Sequence, residues 1–253
     1  MLIYDYATRY CLRNGGSDGY LEQLQVFLRR LPWQVESITT AQVDQYLTEA
    51  LKTLSPTTVS NHRRYLTTLA HAARRDGLAP DFKPPFRRVK SRIPPPKAFS
   101  RAEISRVLAR AEQLGGELRG CPRRHLLSAW ILAAYCTGLR SGDLHSLRWD
   151  DMRGNRVYLT QHKTGRAHVA LLTTEAQHSL NKIPRRQYVW ADYCALNTMQ
   201  KWVASASRGA GLKGNTKTLR KSSATYAAIL GLSPQHHLGH LTNGLAEKHY
   251  IVS

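Results

Sequence analysis

The sequence predicts a mainly α-helical protein in two parts, with a small β-hairpin or sheet in the second. Three observations carry this. Apolar residues recur at three- and four-residue spacing along most of the 253 positions. Strict alternation of apolar and polar residues occurs around Val157 to Leu171, on either side of the turn-forming Lys163-Thr164-Gly165-Arg166. Six of the 11 prolines fall between Pro80 and Pro96, where they break the helical pattern.

The first part, residues 1–80, reads as helical. Leu21, Leu24, Phe27, Leu28 and Leu31 keep helical spacing, and Thr39 with Gln42 resembles a capping box ahead of Val43, Tyr46, Leu47 and Leu51. A third helix is punctuated at both ends: Ser55 as cap, Pro56 in its first turn and Gly77 as its stop, with Val59, Leu66, Leu69 and Ala73 as the apolar stripe. Its other face carries Asn61, Arg63, Arg64, Arg74 and Arg75. Residues 81–98 mix proline with Arg87, Arg88, Lys90 and Arg92 and read as an extended basic connector.

The second part, residues 99–253, opens on a Ser100/Glu103 capping box before Ile104, Val107, Leu108, Ala111 and Leu114. A strongly apolar helix from about Leu126 to Cys136 stops at Thr137-Gly138, and a short helix holding Leu144 and Leu147 follows. Next come the hairpin strands, Val157 and Leu159 before the turn and Val169 and Leu171 after it. Helical pattern resumes near Thr174, over Ala195 to Ala206, Leu219 to Leu230, and a short helix begun by Ser233-Pro234.

Thirty-seven Lys and Arg against 17 Asp and Glu give a formal charge of +20, far beyond what solubility requires, so a polyanion partner is expected. Charge alone does not separate DNA from RNA. The basic helix face (Asn61, Arg63, Arg64) and the connector (Arg87, Arg88, Lys90, Arg92) are the candidate phosphate contacts. Cys11, Cys121, Cys136 and Cys194 lie far apart and form no C-x-x-C, so neither a metal site nor a disulfide framework is expected. No run approaches 18 apolar residues and the N-terminus lacks a secretory signal, which suggests a cytoplasmic, nucleoid-associated protein with no membrane partner.

Arg140, Lys163, Lys217, Arg220, His240 and Tyr250 combine five groups able to carry positive charge with one phenol. A cationic cluster stabilises a phosphate whose charge is growing, and a tyrosine hydroxyl can attack that phosphate to give a covalent phosphoester. Their local contexts are specific. Tyr135-Cys136-Thr137-Gly138-Leu139-Arg140-Ser141-Gly142-Asp143-Leu144-His145-Ser146-Leu147-Arg148-Trp149 closely resembles the first arginine box of the tyrosine recombinases, the phage integrase family. Lys217-Thr218-Leu219-Arg220-Lys221-Ser222-Ser223-Ala224-Thr225 resembles the family's H-x-L-R-H-T-x-A-T helix start, with lysine at both histidine positions. Leu238-Gly239-His240 resembles its L-G-H box, Tyr250 follows at close to the usual separation, and Lys163 matches its hairpin lysine.

The resemblance implies a helical core-DNA-binding domain and a catalytic domain that close on DNA as a C-shaped clamp. It also implies a site-specific recombinase that acts without metal or cofactor through a 3′-phosphotyrosyl link. Tyr250 would be the nucleophile, Arg140 and Arg220 the phosphate clamp, Lys163 the general acid, Lys217 and His240 further hydrogen-bonding members of the pocket, and His240 also the base that assists the tyrosine. Asp143, one turn after Arg140, would orient it. The implied partners are a double-stranded attachment site, three further copies in a tetramer passing through a Holliday junction, and accessory DNA-bending proteins. The implied setting is a prokaryote, a virus or a mobile element. Only three residues follow Tyr250, so subunits are expected to dock without a long C-terminal segment, or the chain is shortened there. Two other readings share these residues: DNA relaxation of the type IB topoisomerase kind, and a DNA-binding regulator with reduced catalysis.

Overall fold

The computed structural model describes residues 1–90 and 97–239; Arg92, His240 and Tyr250 lie outside the described residues. The chain forms two compact units, Met1–Pro94 and Pro95–Ser253.

In the first unit four helices, α1 (Ile3–Arg13), α2 (Asp18–Leu28), α3 (Thr40–Ala50) and α4 (Pro56–Arg75), enclose one core that includes Ile3, Leu24, Leu28, Val43, Leu47, Val59, Leu66 and Leu69. Three of them start as local chemistry dictates. The Ser17, Thr39 and Ser55 hydroxyls accept the N–H groups of Tyr20, Gln42 and Thr58, which otherwise lack a partner in the first turn. Helix α1 is tied to the end of α4 by the Tyr6 hydroxyl and the Arg13 guanidinium, both donating to Asp76 Oδ2 at 2.8 Å.

Residues 79–90 contain no helix or strand, yet they belong to this core. Ala79, Phe82 and Phe86 are buried, with the two phenyl rings stacked 5.5 Å apart. Arg63 Nε donates to the Phe86 carbonyl (3.1 Å), the Arg87 N–H to Asp44 Oδ1 (2.6 Å) and the Arg87 guanidinium to Thr48 Oγ1 (2.7 Å). Arg63 and Arg87 thus spend donors on holding this segment against α3 and α4, whereas Asn61, Arg64, Arg88 and Lys90 are exposed.

The second unit begins with α5 (Arg101–Ala111), whose Ser100/Glu103 capping box is complete in both directions. A two-stranded ribbon, β1 (Glu117–Leu118) with β2 (Cys121–Pro122), leads into α6 (Arg123–Thr137). Helix α6 is buried on almost every side from Leu126 to Ala134, as expected of a helix that is apolar all round and sits at the centre of a domain. Trp130 on this helix meets Trp190 edge to face at 5.2 Å, and both indole N–H groups are satisfied, by Thr216 Oγ1 and the Leu126 carbonyl. Around α6 pack α8 (Thr174–Leu180), α9 (Leu196–Gly209) and α10 (Thr216–Ile229).

Short helices α7 (Ser141–His145) and α11 (Pro234–Leu238) border the sheet, in which β3 (Met152–Arg153), β4 (Arg156–Gln161) and β5 (Arg166–Leu171) run antiparallel in that order. The register pairs Val157 with Ala170, Leu159 with His168 and Gln161 with Arg166. Side chains alternate faces, so this pairing puts Ala170 and His168 on the core side of β5. Val169 and Leu171 face outward instead and, with Leu230 and Leu232, line an open groove of about 1060 Å³.

Candidate active site

Helix α6 ends at Gly138 in a left-handed conformation (φ +61°). A Cβ at this position would stand 2.7 Å from Leu238 Cδ2 and 3.0 Å from Ser223 Oγ, so both backbone and space call for glycine. The turn makes Arg140 the residue that opens α7. Arg140 Nη1 donates to Gln161 Oε1 at 2.8 Å and lies 3.7 Å from Asp143 Oδ2. Asp143, predicted to orient it, is 3% exposed and also accepts the His162 N–H through Oδ1 at 2.9 Å. One carboxylate therefore joins the start of α7 to the hairpin turn.

Arg220 lies in the second turn of α10 and is 4% exposed. Its Nη1 donates to the Gly138 carbonyl and its Nη2 to the Leu238 carbonyl at 3.3 Å. The same Leu238 carbonyl accepts from Gln161 Nε2 at 3.2 Å. Arg140 and Arg220 are thereby joined through one amide and one carbonyl.

Lys163 is exposed in the four-residue turn His162 to Gly165. The Thr164 hydroxyl of this turn reaches back to Gln161 Oε1 at 3.0 Å. Lys217 is exposed in the first turn of α10, where its N–H donates to the Asn215 cap. With Ser141 and Gln200 it lines a groove of about 430 Å³, and Gln200 Nε2 donates to Ser141 Oγ at 3.2 Å. The groove thus joins the start of α10 to the start of α7. Gly239, the last described residue, precedes His240.

Two imidazoles share this site. His237 bonds Ser223 Oγ through Nε2 at 2.6 Å; burial, then His168 and Arg220, push its pKa below the usual histidine value. His168 is shifted down mainly by burial and then by Arg220 and Arg140, with Asp143 opposing. Both shifts favour the neutral imidazole. Sequence reasoning missed His168, Thr164 and Gln161. For Gln161 a signal existed: Val157, Leu159 and Gln161 share one strand face, and a polar residue in an inward row needs partners. His168 carries no comparable signal, because the larger apolar residues of its strand, Val169 and Leu171, lie on the opposite face.

Among the described residues, no group of three His, Cys, Asp or Glu side chains could hold a metal ion, and no helix is long and apolar enough to cross a membrane.

No protein-family model matches the chain, and no curated protein matches it. Solved structures do. A λ integrase fragment (residues 75–356), solved as a dimer bound to a core site, superposes with a TM-score of 0.78 at 21% identity, covering 98% of this chain and 94% of that one. A λ integrase tetramer bound to a Holliday junction gives 0.78 at 21% identity, covering 96% of this chain and 74% of that one. The Tn1549 transposon integrase in complex with circular-intermediate DNA gives 0.73 at 14% identity, covering 100% and 96%. The fold of the chain is the fold of these integrases.

Proposed function

We propose that this chain, which has the fold of the tyrosine recombinases, is a site-specific DNA strand transferase. The observation that carries the reading is the joining of two guanidinium groups, Arg140 and Arg220, through Gln161 and the Leu238 carbonyl. Two fixed guanidinium forks at one place match the nonbridging oxygens of a phosphodiester, and they bind its pentacoordinate transition state better than its ground state.

In the proposed reaction the Tyr250 hydroxyl attacks the scissile phosphorus. Its proton passes to His240, the Tyr250 Oη–P bond forms, and the bond from phosphorus to the 5′ oxygen breaks. Lys163 gives that oxygen its proton, leaving a free 5′-hydroxyl. The phosphotyrosyl link keeps the energy of the broken ester, so a second 5′-hydroxyl reseals the strand by the reverse steps. Asp143 holds Arg140, and Lys217 adds a cation at the start of α10. The partners proposed are duplex DNA, contacted by both units, and three further copies of the chain on a Holliday junction.

The test is a covalent one. Fragmented DNA from the source of the gene is incubated with the protein, adducts are trapped with denaturant, and the attached DNA ends and peptide are sequenced. The expected adduct joins a DNA 3′ phosphate to Tyr250, is absent in Tyr250→Phe, and forms roughly 10²- to 10³-fold more slowly in Arg220→Ala. No adduct, or an adduct that persists in Tyr250→Phe, overturns the reading. Supercoil relaxation with adducts but no exchanged strands would move the activity to the topoisomerase kind.

A further inference from the structure

Gln161 ends β4 on the core side of the sheet and is fully buried. Its side chain makes three hydrogen bonds to three separate stretches of chain: from Arg140 Nη1, from the Thr164 hydroxyl, and to the Leu238 carbonyl. The orientation of its amide is dictated by chemistry. A guanidinium only donates and a carbonyl only accepts, so the amide oxygen must face Arg140 and the nitrogen must face Leu238. Gly239 leaves room for it, since a Cβ there would come within 2.4 Å of Gln161 Nε2. Glutamate would lose the donor, and an aliphatic side chain would lose all three bonds.

We propose that Gln161 is a positioning residue that sets the hairpin turn carrying Lys163 in register with the arginine clamp. The inference rests on the strand-transfer reading above. Gln161 does not touch the phosphate. It acts through Arg140, whose guanidinium it fixes, and through the turn, which it holds by way of Thr164. A general acid on an exposed four-residue turn is useful only if the turn returns to one place each time the phosphate is clamped. Gln161 bonds to both parts, so leaving-group protonation and phosphate binding are set together.

The experiment separates these two roles with paired nicked duplexes of the sequence recovered from trapped adducts. One has the natural bridging 5′ oxygen; the other has sulfur there, which leaves without a proton because a thiol has a pKa of about 8.5. Adduct formation is timed for wild type, Lys163→Ala, Gln161→Met and Thr164→Val. The expected result is that Gln161→Met, near the volume of glutamine, loses about tenfold more rate on the oxygen duplex than on the sulfur duplex, a share of the roughly 10²- to 10⁴-fold typical of a general acid. Thr164→Val alters only an exposed turn residue and keeps the inference testable should Gln161→Met fail to fold; it should show the same bias at about two- to fivefold. Equal losses on both duplexes, or no loss, overturn the proposal. Bias in Lys163→Ala without bias in either of the other variants also overturns it while leaving the recombinase reading intact. Absence of any wild-type adduct sinks that reading and this one together.

Discussion

Replacing Gly138 by alanine tests the frame that carries both arginines. The left-handed backbone there (φ +61°) costs a non-glycine residue roughly 1–2 kcal/mol. The added methyl would also press on Leu238 Cδ2 at 2.7 Å, Ser223 Oγ at 3.0 Å and His237 Nε2 at 3.2 Å. Leu238 is buried and Ser223 is bonded to His237, so none of the three can swing away freely. Overpacking of this kind costs about 1–3 kcal/mol, which brings the total to about 2–5 kcal/mol. For a unit of this size each kcal/mol lowers Tm by roughly 2–4 °C, so the expected fall is roughly 4–20 °C. Gly231→Ala is the matched control: it has the same handedness (φ +73°) with nothing within 4 Å of the added Cβ, and so carries the conformational cost alone. Scanning calorimetry of both variants isolates the crowding. Adduct formation should also slow in Gly138→Ala below its Tm, because the Gly138 carbonyl anchors Arg220. Equal Tm shifts in the two variants would refute the reasoning, since crowding between α6, α10 and α11 would then contribute nothing.

Acid should weaken the folded state through His168 and His237, whose pKa values are lowered mainly by burial. Unfolded, each titrates near 6.5, so below that pH the unfolded chain binds more protons; their contribution is whole above about pH 6.5 and erodes as pH falls toward the folded values, by at most about 1.4 kcal/mol per pH unit for each imidazole. Tm measured from pH 7.5 to 5.0 should fall, and fall less steeply in His237→Asn; parallel slopes would argue against a buried, neutral His237. In the first unit, Phe86→Ala removes a ring that is 2% exposed and stacked on Phe82, at a cost of about 3–5 kcal/mol, and a Tm within 2 °C of wild type would show that residues 79–90 are not part of that core.

What could be read from the sequence was local. The Ser100/Glu103 box, the Ser55-Pro56 start and the Gly138 stop each depend on neighbours within a few residues, and each forms as the residue types require. Where the outcome depended on distant chain, pattern misled or fell silent. Helix α1 buries Ile3, Tyr6, Ala7 and Cys11, but tyrosine and cysteine mark an apolar stripe poorly, and Tyr6 is buried with its hydroxyl satisfied by Asp76 in another part of the chain. Proline and charge dominate residues 81–98 by count, which hid the two phenylalanines at i and i+4 that dock residues 79–90. On β5 the larger apolar residues, Val169 and Leu171, face outward because pairing across the turn, rather than hydrophobicity, fixes which set faces the core.

The part of the candidate site least legible in sequence is what holds Arg220. Gly138 and Leu238 supply main-chain carbonyls, which carry no residue signature, from the C-terminal ends of α6 and α11. The last carbonyls of a helix lack partners within it and bear partial negative charge, so they attract a guanidinium. A carboxylate would orient the arginine too, but it would cancel the charge that the proposed phosphate contact needs; dipoles orient without cancelling net charge. Arg140 is treated differently, with Asp143 at 3.7 Å and the neutral Gln161 oxygen at 2.8 Å, so its closer contact is also a dipole. The glycines at 138 and 239 follow from the same design. Bringing helix ends and an amide this close to two arginines leaves no space for a side chain at either turn, which is why both motif glycines could be recognised in the sequence while the carbonyls they admit could not.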